Sequence, residues 1–289
     1  MSTSSKVQGQ PERIKQEGKR AVRKATTSPL MENLLRLGYV VRGLIYGIIG
    51  VLALQVVTGG GGALTDTQGA IAYIGKSPLG NLLLFVVLAG LIGYGLWGLI
   101  RAVVDPLHKG SDAKGIAARI GYAISGVSYL LLGFVTYNLI KGRATTGSQT
   151  AQTQQFMGAL LSKPWGAWVA LVISFIVIAV GLSYIYQGLN AQFDKQYDPY
   201  ALSNEQRKWM IRLGRFGTAA RGVVFALVGA FLFLAAYRHD PSQAQGIDGA
   251  LAALLHQPYG PFLLGVVALG LIAFGLYSAM SGVWLRLKR

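Results

Sequence analysis

Cysteine is absent from this 289-residue chain, so no disulfide and no thiolate can brace the fold or carry chemistry. Charge is scarce too: Asp, Glu, Lys and Arg make up 13% of residues, against about 25% in an ordinary soluble domain. The acidic sign is the rarer, 11 residues against 27 Lys and Arg, and all 11 fall in tails and loops outside the long apolar stretches. That argues against a proton-coupled carrier, whose relay needs titratable groups inside the membrane. Histidine occurs three times, at His108, His239 and His256, and never at a metal-ligand spacing. No HExxH, GxSxG elbow or Walker loop is present, and the run Gly59 to Gly62 lacks the Lys-Ser/Thr a phosphate cradle needs. The expectation is a protein that is not an enzyme, with no cofactor and no metal.

What is abundant is apolar: 52% of residues are hydrophobic, gathered into six long runs. These are Leu37–Thr58, Leu79–Arg101, Ile120–Ile140, Trp165–Asn190, Phe216–Tyr237 and Pro261–Leu285. At 1.5 Å per residue each can cross a hydrocarbon core of about 30 Å. None shows the alternation a transmembrane barrel requires, so the predicted fold is an all-α membrane protein with six transmembrane helices. Twenty of the 27 basic residues fall on the side of the two termini, which predicts a multi-pass inner-membrane protein with both ends in the cytoplasm. The net charge of +16 is mostly this topological bias and no nucleic-acid footprint. Residues 1–30 form a basic tail that is read as flexible, with Lys6, Arg13, Lys15 and Lys19 among its charges. It fixes orientation, and it can attract anionic lipid at about 1 kcal/mol per basic residue.

The six runs are three copies of one pair. Arg36-Leu37-Gly38-Tyr39, then Arg42-Gly43, Tyr46 and Gly50, return as Arg119, Gly121, Ser125-Gly126, Tyr129 and Gly133. They return again as Arg215, Gly217, Arg221-Gly222, Phe225 and Gly229. A second anchor follows in each copy, at Pro78-Leu79-Gly80, Pro164-Trp165-Gly166 and Pro258-Tyr259-Gly260. Seventeen residues beyond each of these prolines stands a glycine, Gly95, Gly181 and Gly275. Internal triplication follows. The predicted layout is the tail 1–30 and repeats over 31–110, 111–205 and 206–289. Because each repeat holds an even number of spans, all three enter from one side, and a pseudo-threefold arrangement of parallel hairpins is the simplest packing.

Arg42 and Arg221 are the candidate site, each six residues inside the boundary marked by Arg36 or Arg215. A charge at the middle of a membrane helix costs about 2.5–3.5 kcal/mol, so such arginines need a partner or a duty. No carboxylate partner exists within the spans. Three roles stay open: reaching back to headgroups, capturing backbone carbonyls, or binding an anion or lipid phosphate with Ser125, Tyr46 and Tyr129, which share the same helix face. The face's glycines are read first as helix contacts. Between the spans of each repeat an amphipathic stretch is expected near the outer surface, clearest at Leu251, Leu254 and Leu255 and weakest at Ile71 and Ile74.

This spacing, RLGYxxRGxxY followed by PxG and YG, resembles the bacterial membrane family called domain of unknown function 1206, whose pattern is three tandem two-helix repeats. Arg36, Gly38, Arg42, Gly43, Tyr46, Pro78, Gly80 and Gly95 carry the match, with their third-copy equivalents. The middle copy departs at Ser125, and at Val180 where the others have Tyr94 and Phe274. The resemblance implies the fold and a bacterial inner membrane and brings no activity. Two functional readings remain: a structural or regulatory protein that interacts with lipid or with a membrane-protein partner, and a transport or binding protein for an anion or small solute. Partners expected are membrane lipids, anionic ones through the tail, and no nucleic acid.

Overall fold

In the computed structural model of the chain, the described residues are 29–105, 110, 112–143, 147–190 and 203–284. Residues 1–28 of the basic tail, and His108, lie outside them. Six helices are long and apolar enough to cross a membrane. They are α1 (Pro29–Val57), α3 (Gly80–Val104), α4 (Ala113–Ile140), α6 (Gly166–Asn190), α7 (Asn204–Arg238) and α9 (Gly260–Trp284). Three short helices join them in pairs: α2 (Thr67–Gly75), α5 (Gln149–Leu161) and α8 (Ile247–Leu255). There is no strand among the described residues.

Local signals set the boundaries. Asp66, Asp112, Ser148 and Ser203 cap the N-termini of α2, α4, α5 and α7 with side-chain oxygens that accept backbone N–H groups. At α7 the Ser203–Gln206 capping box starts the helix 12 residues before Phe216, where the apolar run begins. The extra turns carry polar residues that hydropathy reads as loop, yet they continue the same helix. Each PxG anchor has a steric purpose. A Cβ on Gly80 or Gly260 would overlap the carbonyl of Gly75 or Leu255, and one on Gly166 the carbonyl of Leu160. The glycine therefore lets each long helix begin directly against the end of the short helix before it.

The six spans form three parallel hairpins in a pseudo-threefold arrangement. Around the ring the order is α1, α3, α4, α6, α7, α9, returning to α1. The closest seams lie between repeats: α3 on α4, α6 on α7, α9 on α1. The two repeated glycines meet at every one of them. An added Cβ on Gly126 would lie 2.8 Å from the Gly95 carbonyl oxygen, and one on Gly222 2.7 Å from that of Gly181. Gly43 faces Gly275 in the same way. With no hydrophobic driving force between helices in lipid, such backbone approach is what dispersion can use.

Within repeats the three copies differ. Helices α1 and α3 pack together, as do α7 and α9, but α4 and α6 form no packed interface. The three equivalent glycines report the same thing. A Cβ on Gly38 would strike Tyr94 and one on Gly217 would strike Phe274, whereas Gly121 has nothing within 4 Å. Ile124 and Ile176, on the two middle helices, are left 59% and 53% exposed.

On the face away from the termini, the short helices make a cap. Ile71 and Ile74 of α2 and Leu251 of α8 are buried with Ile49, Ala53 and Leu264 in one core, so this half of the bundle centre is packed. The stretch with the weakest sequence signal, at Ile71 and Ile74, is thus among the best buried. Polar bonds tie the caps together. The buried Asp66 caps α2 through Gln68 N–H and Gly69 N–H and also accepts from the Gln149 N–H of α5. Gln68 and Gln152 exchange amide hydrogen bonds at 2.9 and 3.0 Å. Thr150 Oγ1 donates to Asp248 at 2.7 Å and accepts from the Gly246 N–H. Helix α5 therefore bridges the caps of the first and third repeats.

Candidate functional site

Toward the terminal side of the packed core, the interior changes character. Arg42 Nη1 donates to the Tyr94 hydroxyl at 2.8 Å, and its Cζ lies 4.7 Å from the Phe274 ring centroid. Arg221 is 8% exposed; its Nε donates to the Tyr46 hydroxyl at 3.1 Å. The Arg221 Cζ lies 4.6 Å from the Tyr184 centroid and 5.0 Å from those of Phe225 and Phe274. Helices α7 and α1 are separated in the ring by α9, so the bond from Arg221 to Tyr46 has to cross the interior. Of the three roles open from the sequence, reaching back to headgroups is therefore not the one adopted: both arginines turn inward, into rings.

The contacts join into a belt that visits all six spans. Tyr129 of α4 lies 4.6 Å from Tyr94 of α3, which bonds Arg42 of α1. Arg42 lies on Phe274 of α9, which also carries Arg221 of α7, and Arg221 reaches Tyr184 of α6. The belt thus ends at Tyr129 and Tyr184, on the two helices that form no packed interface. Cation–π contact is worth about 2 kcal/mol or more per desolvated pair, enough to offset much of the insertion penalty of each arginine.

A third arginine joins them. Arg101, in the last turn of α3, has its Cζ 4.5 Å from the Tyr122 centroid and 5.9 Å from that of Tyr94. Three permanent cations are thus gathered on rings. Among the described residues no carboxylate lies within salt-bridge distance of any of them. The Nε atoms of Arg42 and Arg101 are buried without a hydrogen-bond partner. A buried donor left unmade costs about 1–3 kcal/mol, and more when the group is charged. Because Arg42 and Arg221 both lie within 5.0 Å of one ring centroid, their charges are about 10 Å apart or less, where mutual repulsion in a low dielectric is appreciable.

Of the residues singled out by sequence, Arg42, Arg221, Tyr46 and Tyr129 come together in the belt. Ser125 is half-buried and makes no hydrogen bond to a belt residue. Tyr94 and Phe274 were visible as the aromatics preceding Gly95 and Gly275, though not as partners of the arginines. Tyr184 carried no signal, and Arg101 has no basic counterpart, its equivalents being Gln187 and Ser281. Two of the three boundary arginines of the repeat prove to be clasps, while Arg36 pairs with Glu32 one turn away on its own helix. Arg119 donates to the carbonyls of Ala102 and Val103 at the end of α3, and Arg215 to that of Leu189 at the end of α6. Each cation caps the negative end of the preceding repeat's helix.

Comparison with known proteins agrees with this architecture. The chain is 32% identical over 261 residues to the uncharacterized protein YxxB of Bacillus subtilis (strain 168), covering 90% of this chain and 94% of that one. No solved structure matches. The model of the family described as Domain of Unknown Function (DUF1206) matches three times, over residues 37–105, 120–191 and 216–285. With a copy of that pattern on each hairpin of the ring, the chain belongs to this family of three-repeat membrane proteins.

Proposed function

We propose that this is a non-catalytic integral membrane protein whose belt binds an anionic group, a phosphate or a carboxylate, in the cytoplasmic half of the bilayer. The observation that carries the reading is the gathering of Arg42, Arg101 and Arg221 around one set of rings, with no acidic partner among the described residues and two buried Nε donors unmet. An anion seated there would satisfy those donors and relieve the repulsion between the cations, and guanidinium forks match its geometry. Tyr46 and Tyr94 would hold the arginines in place while the rings exclude water. The cap supports binding over passage, since its packed core lies across the route to the far side.

The test is thermal unfolding of detergent-purified protein titrated with phenylphosphonate, with benzyl alcohol as the uncharged control. A ligand that binds only the folded state raises the midpoint with concentration. The wild type should be stabilised by the phosphonate, and the Arg42→Gln/Arg221→Gln variant should not. If the wild type responds to both compounds alike, the reading is wrong.

A further inference from the structure

The splayed middle repeat and the belt lie together, and the reason is legible in the residues. In repeats one and three, an arginine on the first helix and an aromatic on the second tie the hairpin: Arg42 to Tyr94, and Arg221 to Phe274. The middle copy has lost both members, with Ser125 and Val180 in their places. It has also exchanged the small residue that seats the first helix, Gly90 or Gly270, for Ile176. Nothing then draws α4 to α6, and the two helices are the least buried of the six spans. The parting is roofed on the cap side, where α5 is tied to its neighbours through Gln152 and Thr150. Toward the terminal side it leads between Tyr129 and Tyr184 to the arginines.

From this we infer that the gap between α4 and α6 is a lateral portal for an amphiphile with an anionic phosphate head, a phospholipid of the leaflet on the terminal side. Its head would reach Arg42, Arg101 and Arg221 while its acyl chains lie along the exposed apolar faces of α4 and α6. This rests on the anion-binding reading and names the class of ligand and its route. Charge complementarity selects the occupant. A second copy of this chain could cover the apolar faces of α4 and α6, but no carboxylate stands within its six apolar runs to meet three guanidiniums. A free anion would meet the guanidiniums but leave those faces, with Ile124, Ile176 and Val180 on them, uncovered.

The experiment places the full chain in nanodiscs with phosphatidylglycerol bearing a diazirine on its acyl chain, and maps the photo-adducts by mass spectrometry. Diacylglycerol with the same diazirine chain is the control. Adducts should concentrate on α4 and α6 with the phosphatidylglycerol probe and be sparse with the diacylglycerol. Val180→Trp, which fills the gap, should lower them about tenfold, equivalent to roughly 1.4 kcal/mol of binding. Ser125→Arg/Val180→Phe, which restores the missing tie, should act in the same direction, so either variant suffices if the other does not fold. Adducts spread evenly over all six spans, equal labelling by diacylglycerol, or α4 and α6 covered by a second copy would each overturn the portal. Phenylphosphonate stabilisation, read in parallel, separates the failures. If it persists while labelling is even, only the portal falls; if it too is absent, the anion site falls with it.

Discussion

The outer two repeats and the middle one began as the same sequence pattern and have ended as different structures. In the first and third, the hairpin closes: a glycine on one helix meets an aromatic on the other, and an arginine bridges them. In the second, the seams to the neighbouring repeats are intact, Gly126 against Gly95 and Gly181 against Gly222, while the seam inside the hairpin is missing. The difference separates two tasks that the motif performs. Its glycines seven and seventeen residues along assemble the ring, and its arginine and aromatic close each hairpin and furnish the interior. A repeat can give up the second task and stay in the ring.

The sharpest way to break this comparison uses the three equivalent glycines. Gly38→Leu and Gly217→Leu should be severely destabilising, since a Cβ alone already overlaps a neighbouring helix, and overpacking costs about 1–3 kcal/mol or more. Gly121→Leu should leave the midpoint of thermal unfolding unchanged or slightly raised, because that site is empty to 4 Å. A loss of the Gly121→Leu protein comparable to the other two would mean that α4 and α6 do pack in the membrane. Next in size is Tyr46→Phe, which deprives Arg221 of its hydroxyl acceptor. A hydrogen bond to a charged group contributes about 1.5–3 kcal/mol, and a drop of that order is expected in denaturant unfolding. Tyr129→Phe, on the splayed helix, should lower stability less.

The cap offers a smaller effect. Asp66→Ala removes the N-cap of α2 and the tie to α5, and about 1–2 kcal/mol should be lost. Hydrogen exchange would find the loss at the amides of Gln68, Gly69 and Gln149. The smallest concerns Asp240, in the loop after α7. Hydrogen bonds from Ser242 and Gln243 hold its carboxyl below the usual carboxylate range. A depressed folded value means its contribution is present above the ordinary carboxylate range and lost as pH falls through the lowered one. Exchange of the Ser242 amide should accelerate on that acid side, and Asp240→Asn should abolish the pH dependence.

Much of this was readable from the chain. Six spans, three copies and the recurring glycines follow from a repeat whose spacing is kept while its loops vary, though which glycine meets which does not. The long N-terminal turns of α7 were not readable by hydropathy, because a helix there is specified by a capping box and polar residues. The arginines at 42 and 221 were singled out because a charge without a carboxylate is costly in lipid; Arg101 was not, because it stood at a span's edge and had no counterpart in the other copies.

Sequence alone determined that the protein spans a membrane, how many times, and which residues recur on each helix, since apolar length and periodicity are local properties written along one strand of residues. Only the tertiary structure decided that the two arginines share a phenyl ring, that Arg101 joins them, and that the middle hairpin fails to close. Those depend on which helices become neighbours around the ring, and that order is set by backbone contacts between glycines far apart in the chain.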